Sequence, residues 1–334
     1  MIRESDLDAA VSQNVISAEQ ASRLREIAQA RVRQPHGTNE RFSIVNNLSE
    51  IFVSIGQVLF FVALFVFVVS YGASAAIAAP IAGIVAGWAM AEFFARWRNM
   101  RWPAIVASIA AAACASWLAA VLSGGLDAHN KELVWQVALS AGALSLGLSL
   151  LRYRLPFLIL PFVCAIGALA GWVLPWPREI TMVIAGGAAL LAAVMLDLRD
   201  RERMTRSSAF AFWLYVAGAP MFLHPVFSSV AVAGQFGTAA AMTGVLVIAA
   251  LACLFGLLLD RRSPIVASLI YLGVVIGWGA QALSVSPQIQ LALVLFILGV
   301  GVMLLGVWWK QARAAILGVL PSAFTRRLPL TESR

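Results

Sequence analysis

Charge is what this sequence lacks most. Charged side chains make up 12% of its 334 residues, about half the roughly 25% of a soluble domain. Lysine is all but missing. Lys131 and Lys310 stand alone, so the net charge of +8 rests on arginine. Cysteine is reduced to Cys114, Cys164 and Cys253, each inside an apolar run. That placement excludes a disulfide framework in exposed loops and a paired-cysteine metal site. Histidine is reduced to His36, His129 and His224, which fall in three separate gaps between apolar runs. No pair of them has metal-ligand spacing, and the His-Glu-x-x-His zinc pattern is absent. So are the Gly-x-Ser-x-Gly elbow and a phosphate-cradling glycine loop with lysine. Asp127 and His129 share a short gap, but a lone Asp-x-His brings no third group with it. Catalysis needs titratable groups that converge, so the expectation is no enzyme, no catalytic residue, no metal and no cofactor. Short alternating segments of the kind that build a membrane barrel are missing too.

What the chain has instead is apolar length. Hydrophobic residues are 61% of it, and they come in runs of about 20, enough for a helix to cross a hydrocarbon core of roughly 30 Å. In lipid the backbone must satisfy its own polar groups, which leaves helices. The expected fold is all-α, a polytopic transmembrane bundle. Ten spans are expected near 51–71, 75–95, 103–122, 133–151, 155–174, 180–197, 208–224, 238–259, 264–283 and 288–309. The seventh contains Gly218 and Pro220 and ends at His224-Pro225, so it is expected to be kinked or short.

The arginines test this division. Ten spans put the N-terminal segment, the even gaps and the tail on one side. That side takes Arg96, Arg98 and Arg101, then Arg152 and Arg154, then Arg199, Arg201, Arg203 and Arg206, then Arg261 and Arg262. Of the 24 basic residues, only Lys131 and Arg178 fall in the opposite gaps. The positive-inside rule reads this as an even number of spans with both termini cytoplasmic. Beside membrane spans the basic balance reports topology, and nucleic acid is not expected as a partner. The expected domains are a cytosolic helical hairpin over 1–34, a linker and interfacial helix over 35–49, the spans over 50–310, and a basic tail over 311–334.

An entry signal recurs along the chain. Arg101-Trp102-Pro103 opens one run and continues as Ile105-Val106-Ala107-Ser108. Arg262-Ser263-Pro264 opens another with Ile265-Val266-Ala267-Ser268, and Arg154-Leu155-Pro156 opens a third. Pro103 and Pro156 are 53 residues apart, Pro156 and Pro264 twice about that. Arginine marks the side, and proline starts a helix where its missing N–H matters little. The period predicts five hairpins of about 53 residues. Two inverted five-span halves, a plan many transporters use, fit the same count.

Three copies of Gly-x-x-x-Gly-Trp follow the same logic of packing. Gly83 and Gly87, Gly167 and Gly171, and Gly273 and Gly277 are each four apart, on one helix face where a second helix can approach closely. They are helix-packing positions, or a sliding surface if the protein changes shape. Charge inside the membrane points to function, and here it is confined to run ends. Glu92 stands four before Arg96, Asp197 four before Arg201, and Asp260 beside Arg261, so local pairing and snorkelling account for them. Gln57, Ser54, Ser70, Thr243 and Gln281 are uncharged polar residues within the spans. They hydrogen-bond between helices or line a polar path. Gln57, Glu92 and Gln281 are the candidate substrate-binding residues.

Outside the membrane, Ser5 with Asp8 caps a first short helix and Asn14 ends it in a left-handed turn. Ser17-Ala18-Glu19-Gln20 is a capping box for a second. The tail holds Phe324 and Leu328 around Arg326 and Arg327 and is expected on the inner leaflet. The run Asn14-Val15-Ile16-Ser17-Ala18-Glu19-Gln20-Ala21 resembles the N-terminal signature of a bacterial family of integral membrane proteins of unknown function. In that family a short helical hairpin precedes the spans. Asn14 replaces the usual glycine of the turn. The resemblance implies a bacterial inner membrane and brings no catalytic residues with it. Two functions remain open. One is a carrier or permease for a neutral or lipid-like small molecule. The other is a membrane scaffold or sensor that binds a cytosolic partner, or a second copy, through residues 5–33.

Overall fold

The structure is a computed structural model and describes residues 13, 15–24, 48–72, 75–125, 129–200, 203, 205–233, 238–281 and 286–321. The chain divides into two units, Met1–Ser43 with Glu332–Arg334 and Ile44–Thr331. In the first, a short helix runs over 18–24. Its capping box is formed in both directions. Gln20 N–H donates to Ser17 Oγ at 3.1 Å, and Ser17 N–H donates to Gln20 Oε1 at 2.9 Å. The expectations for Ser5, Asp8, Asn14, the 35–47 segment, Asp127, Arg201 and the tail beyond Pro321 lie outside the described residues.

In the second unit helix follows helix, and no strand occurs among the described residues. They are α1 (Leu48–Tyr71), α2 (Ala75–Glu92), α3 (Arg101–Leu122), α4 (Lys131–Tyr153), α5 (Ile159–Val173), α6 (Arg178–Arg199), α7 (Arg206–Ala233), α8 (Ala239–Leu259), α9 (Ser263–Gln281) and α10 (Pro287–Val319). Among the described residues, nine are long and apolar enough to cross a membrane. The other, α9, has 19 residues, about 28 Å of helix at a rise of ~1.5 Å per residue. The chain is built as a multi-pass membrane protein.

Two helices correct the expected boundaries. Helix α7 does not stop at His224-Pro225. It continues through Pro220 and Pro225 to Ala233, so His224 lies on the helix and not in a gap. Its Nδ1 meets the Tyr271 hydroxyl of α9. Helix α10 runs ten residues past 309, to Val319. Its extension Lys310–Val319 is polar enough to end a hydropathy window but contains no helix breaker before Pro321. Residues 311–319 therefore belong to the helix and not to the tail.

Neighbouring helices pack pairwise, with α3 against α1, α2 and α4, and α7 against α5, α6, α8 and α9. The closest approaches are made by glycine. A Cβ on Gly87 of α2 would stand 2.8 Å from Ala111 Cβ and 3.0 Å from the Ala107 carbonyl of α3. A Cβ on Gly186 of α6 would stand 2.5 Å from the Phe222 backbone nitrogen of α7, one turn from Gly218, which approaches the Gly186 carbonyl in return. Without these hydrogens-only positions the helix axes would be forced apart. Two more motif glycines are equally crowded, but by side chains: a Cβ on Gly83 would run into Cys114 Sγ and Leu64, and one on Gly167 into the Met221 methyl. The other three pack less tightly. Gly171 would meet only Arg178 Cγ at 3.8 Å, while Gly273 and Gly277 face Leu298 and Val294 of α10 at 3.2 to 3.9 Å.

The helix ends that carry arginine gather together. The Glu50 carboxylate at the start of α1 accepts from Trp102 N–H at the start of α3, at 3.3 Å. That N–H has no partner within its own helix, and the carboxylate also complements the positive end of the helix dipole. The Trp102 ring meets Phe157 in the 3₁₀ turn before α5, and Phe157 meets Trp213 of α7 with centroids 4.5 Å apart. Ser208, at the start of α7, accepts from Arg261 at the entry of α9. Residues about one hairpin apart in sequence thus meet in space, which is the physical content of the 53-residue period.

Candidate functional site

Two ion clusters close this arginine-rich end. In the first, Glu92 in the last turn of α2 holds Arg152 of α4 at 2.9 Å and Arg96 at 3.3 Å. The expected Glu92–Arg96 pair is present, and a second arginine from a distant helix joins it. These side chains are a third to a half exposed. Helix α2 continues past Glu92 as a π turn, Phe93–Trp97, and Asn99 then takes a left-handed φ of 53°, a conformation asparagine tolerates.

The second cluster is buried. Arg261 Nε donates to Asp197 Oδ2 at 2.9 Å, and its terminal nitrogen donates to Oδ1 at 2.6 Å. The same guanidinium reaches the Ser208 hydroxyl and carbonyl. Asp197 is 0% and Arg261 1% exposed, so snorkelling does not describe them. Asp197 spends both oxygens on a partner 64 residues away. Asp260 does not pair with adjacent Arg261, whose guanidinium is spent on Asp197 and Ser208. It accepts from Trp309 Nε1 at 2.7 Å and lies within 3.5 Å of Arg203 and Arg313.

Arginines also finish helix α8. Arg313 Nε donates to the Leu257 carbonyl, and Arg203 donates to the Leu259 and Asp260 carbonyls. These acceptors form the negative end of the helix dipole, where a cation is stabilising. Burial pushes the Arg203 guanidinium below its usual range, with Arg261 acting in the same direction, while Asp197 and Asp260 oppose them. The two clusters are built alike. Each joins a carboxylate in the last turn of α2 or α6 to an arginine at the end of α4 or just past the end of α8. One is wet, and the other is sealed.

Two apolar voids lie elsewhere, beside α1. One of ≈160 Å³ lies between α1, α2 and α3 and is lined by Phe61, Leu64, Phe65, Val68, Pro80, Ala110, Ala113, Cys114 and Trp117. A larger groove of ≈490 Å³ separates α1 from the last turns of α2. Its lining is Val53, Gly56, Gln57, Phe60, Ala89, Met90, Phe93 and Phe94. Gln57 is the polar side chain in this lining. It is 5% exposed, and among the described residues neither its amide nitrogen nor its oxygen has a hydrogen-bond partner. A buried amide left unpaired in this way is destabilising by about 1–3 kcal/mol.

Of the three sequence candidates, Gln57 lines the groove, while Glu92 does not and turns its carboxylate to Arg96 and Arg152. The turns flanking Glu92 form the groove's opposite wall. Gln281 is the last residue of α9, which packs against α7, α8 and α10. Its side chain lies outside the described residues. Ser54 and Ser70 do not bond between helices. Each hydroxyl donates to the carbonyl four residues back, on Glu50 and Val66. Sequence reasoning missed the Asp197–Arg261–Ser208 cluster because each member had a plausible local role. The signal that finds it is the hairpin period, which sets Ser208 and Arg261 53 apart. Among the described residues no group of three or more His, Cys, Asp and Glu side chains is placed to hold a metal. No family model, no curated protein and no solved structure matches this chain.

Proposed function

We propose that this protein is a carrier or permease of the bacterial inner membrane for a neutral or lipid-like small molecule. Its ten helices cross the bilayer as five hairpins, and both chain ends are cytoplasmic. The siting of charge supports this reading. Every described Asp, Glu, Lys and Arg of α1–α10 lies at a helix end or, on α10, beyond Val307, level with the end of α8. A charged cargo crossing the hydrocarbon needs countercharges or a polar path there, whereas a neutral, apolar one needs room and an occasional hydrogen bond. The voids beside α1 offer that combination.

Reconstitution tests the cargo class. Liposomes containing the purified chain should pass a neutral lipid between leaflets faster than protein-free liposomes. An anionic lipid with the same acyl chains should not be accelerated. Equal acceleration of both, or of neither, removes the reading.

A further inference from the structure

The reading of a neutral, lipid-like cargo leaves open where such a molecule binds and what its head must offer. We propose that the groove between α1 and α2 binds a neutral glycerolipid that presents an ester carbonyl and a free hydroxyl close together, with Gln57 as the recognition residue. This inference rests on that functional reading for its ligand class, and its test is separate.

The geometry sets the ligand's chemistry. The volume of ≈490 Å³ falls within the roughly 300–1,000 Å³ of small-molecule sites. Its walls are alkyl and aromatic, so alkyl chains fill it. Within this lining Gln57 contributes an NH2 donor group and a carbonyl acceptor, both buried and both unpartnered among the described residues. A ligand that satisfies both must bring an acceptor and a donor a few ångströms apart. It must be uncharged, because no described residue lining the groove is ionisable. An ester beside a free hydroxyl meets all three conditions. An alkane meets none of the polar ones, and a methyl ester meets half.

The groove also has a means of opening. The Gln57 amide is shielded, so a ligand reaches it only when the end of α2 shifts. That end supplies Met90, Phe93 and Phe94 to the wall and is held by the half-exposed Glu92–Arg152 pair, not by a sealed one. Ion pairs in contact with water exchange partners at small cost. The π turn that follows Glu92 is the kind of irregularity that recurs where helices must adjust.

The test uses the full chain in phosphatidylcholine nanodiscs with a diazirine-bearing monoacylglycerol. Mass spectrometry then maps the labelled peptides. Labelling is expected to concentrate on α1 and α2. Unlabelled monoolein should compete, and methyl oleate should not. Gly56→Leu adds bulk to the groove wall at a position where a Cβ meets nothing within 4 Å. It should lower labelling at least five-fold, as should Gln57→Leu. Labelling spread equally over α8 and α10, labelling unchanged in Gly56→Leu, or equal competition by methyl oleate overturns the site. Lipid passage between leaflets is read independently. Specific labelling without passage keeps the site and removes the carrier. Passage that survives Gly56→Leu with labelling lost keeps the carrier and removes this groove from its route.

Discussion

Removing Asp197 isolates a buried cation. The Asp197→Leu change deletes both acceptors of the bidentate pair at 2.6 and 2.9 Å and leaves Arg261, 1% exposed, with the Ser208 oxygens and the face of the Tyr215 ring but no countercharge beside it. Breaking one side of a buried pair is destabilising by about 3–5 kcal/mol, because the remaining charge is desolvated and uncompensated. The whole stability of a domain is roughly 5–15 kcal/mol, so the loss should be large. Replacing both partners behaves differently. In Asp197→Leu with Arg261→Met the stranded charge is gone, and only the Ser208 bonds are lost, about 1 kcal/mol on the usual scale. The double variant should therefore recover more than half of the single variant's deficit. Equilibrium unfolding in mixed dodecyl maltoside and dodecyl sulfate micelles reads both. A single-variant loss under about 1 kcal/mol, or a double variant as damaged as the single, refutes the reasoning, because either outcome means that water or lipid headgroups already reach Arg261.

The other expectations can be checked with simple variants. Gly186→Val drives a side chain into the α7 backbone and should destabilise by about 1–3 kcal/mol in the same assay, whereas Gly306→Leu, with nothing within 4 Å of its Cβ, should be neutral. Glu92→Ala should quicken photolabelling of the α1–α2 groove without the stability loss seen at Asp197. A periplasm-active reporter should be active when fused after Gly125 or Pro177 and inactive after Arg98 or Arg203; the reverse pattern would overturn the orientation. Deleting residues 1–34 should leave lipid passage intact, while loss of passage would favour the scaffold or sensor function for the N-terminal hairpin.

Much of the helical layout was legible in the sequence, and the reason is physical. A helix in lipid must be apolar along its length, so hydropathy marks where spans lie within a few residues. It marks their ends poorly where the helix outlasts the membrane. At α10 the segment after Trp309 is polar but still helix-forming, and at α7 two prolines sit inside a helix that neighbours hold together. The ionic clusters were less legible. Asp197 and Asp260 each have an arginine nearby in sequence, and local pairing looked sufficient. The partners actually used lie 49 to 64 residues away, and only tertiary packing selects among equivalent arginines. Gln57 was singled out among several polar residues, but the lack of a partner for its amide depends on what α2 places opposite. No single sequence carries that fact. The same holds for glycine. Gly83 and Gly87 belong to a visible motif, whereas Gly186 and Gly218 make an equally close contact with no motif between them.

The most direct measurement is lipid passage scored by leaflet. Liposomes carrying a trace of fluorescent monoglycosyl diacylglycerol, whose head is neutral and too polar to cross alone, are treated with dithionite, which bleaches the outer leaflet only. With the wild-type chain present, bleaching should proceed beyond the outer leaflet's share. A fluorescent phosphatidylserine in matched liposomes should stop at that share, and Gly56→Leu should stop the neutral lipid there too. Bleaching of the neutral lipid that halts at the outer leaflet with the wild-type chain, or that runs on equally for phosphatidylserine, contradicts a carrier for neutral lipid-like cargo.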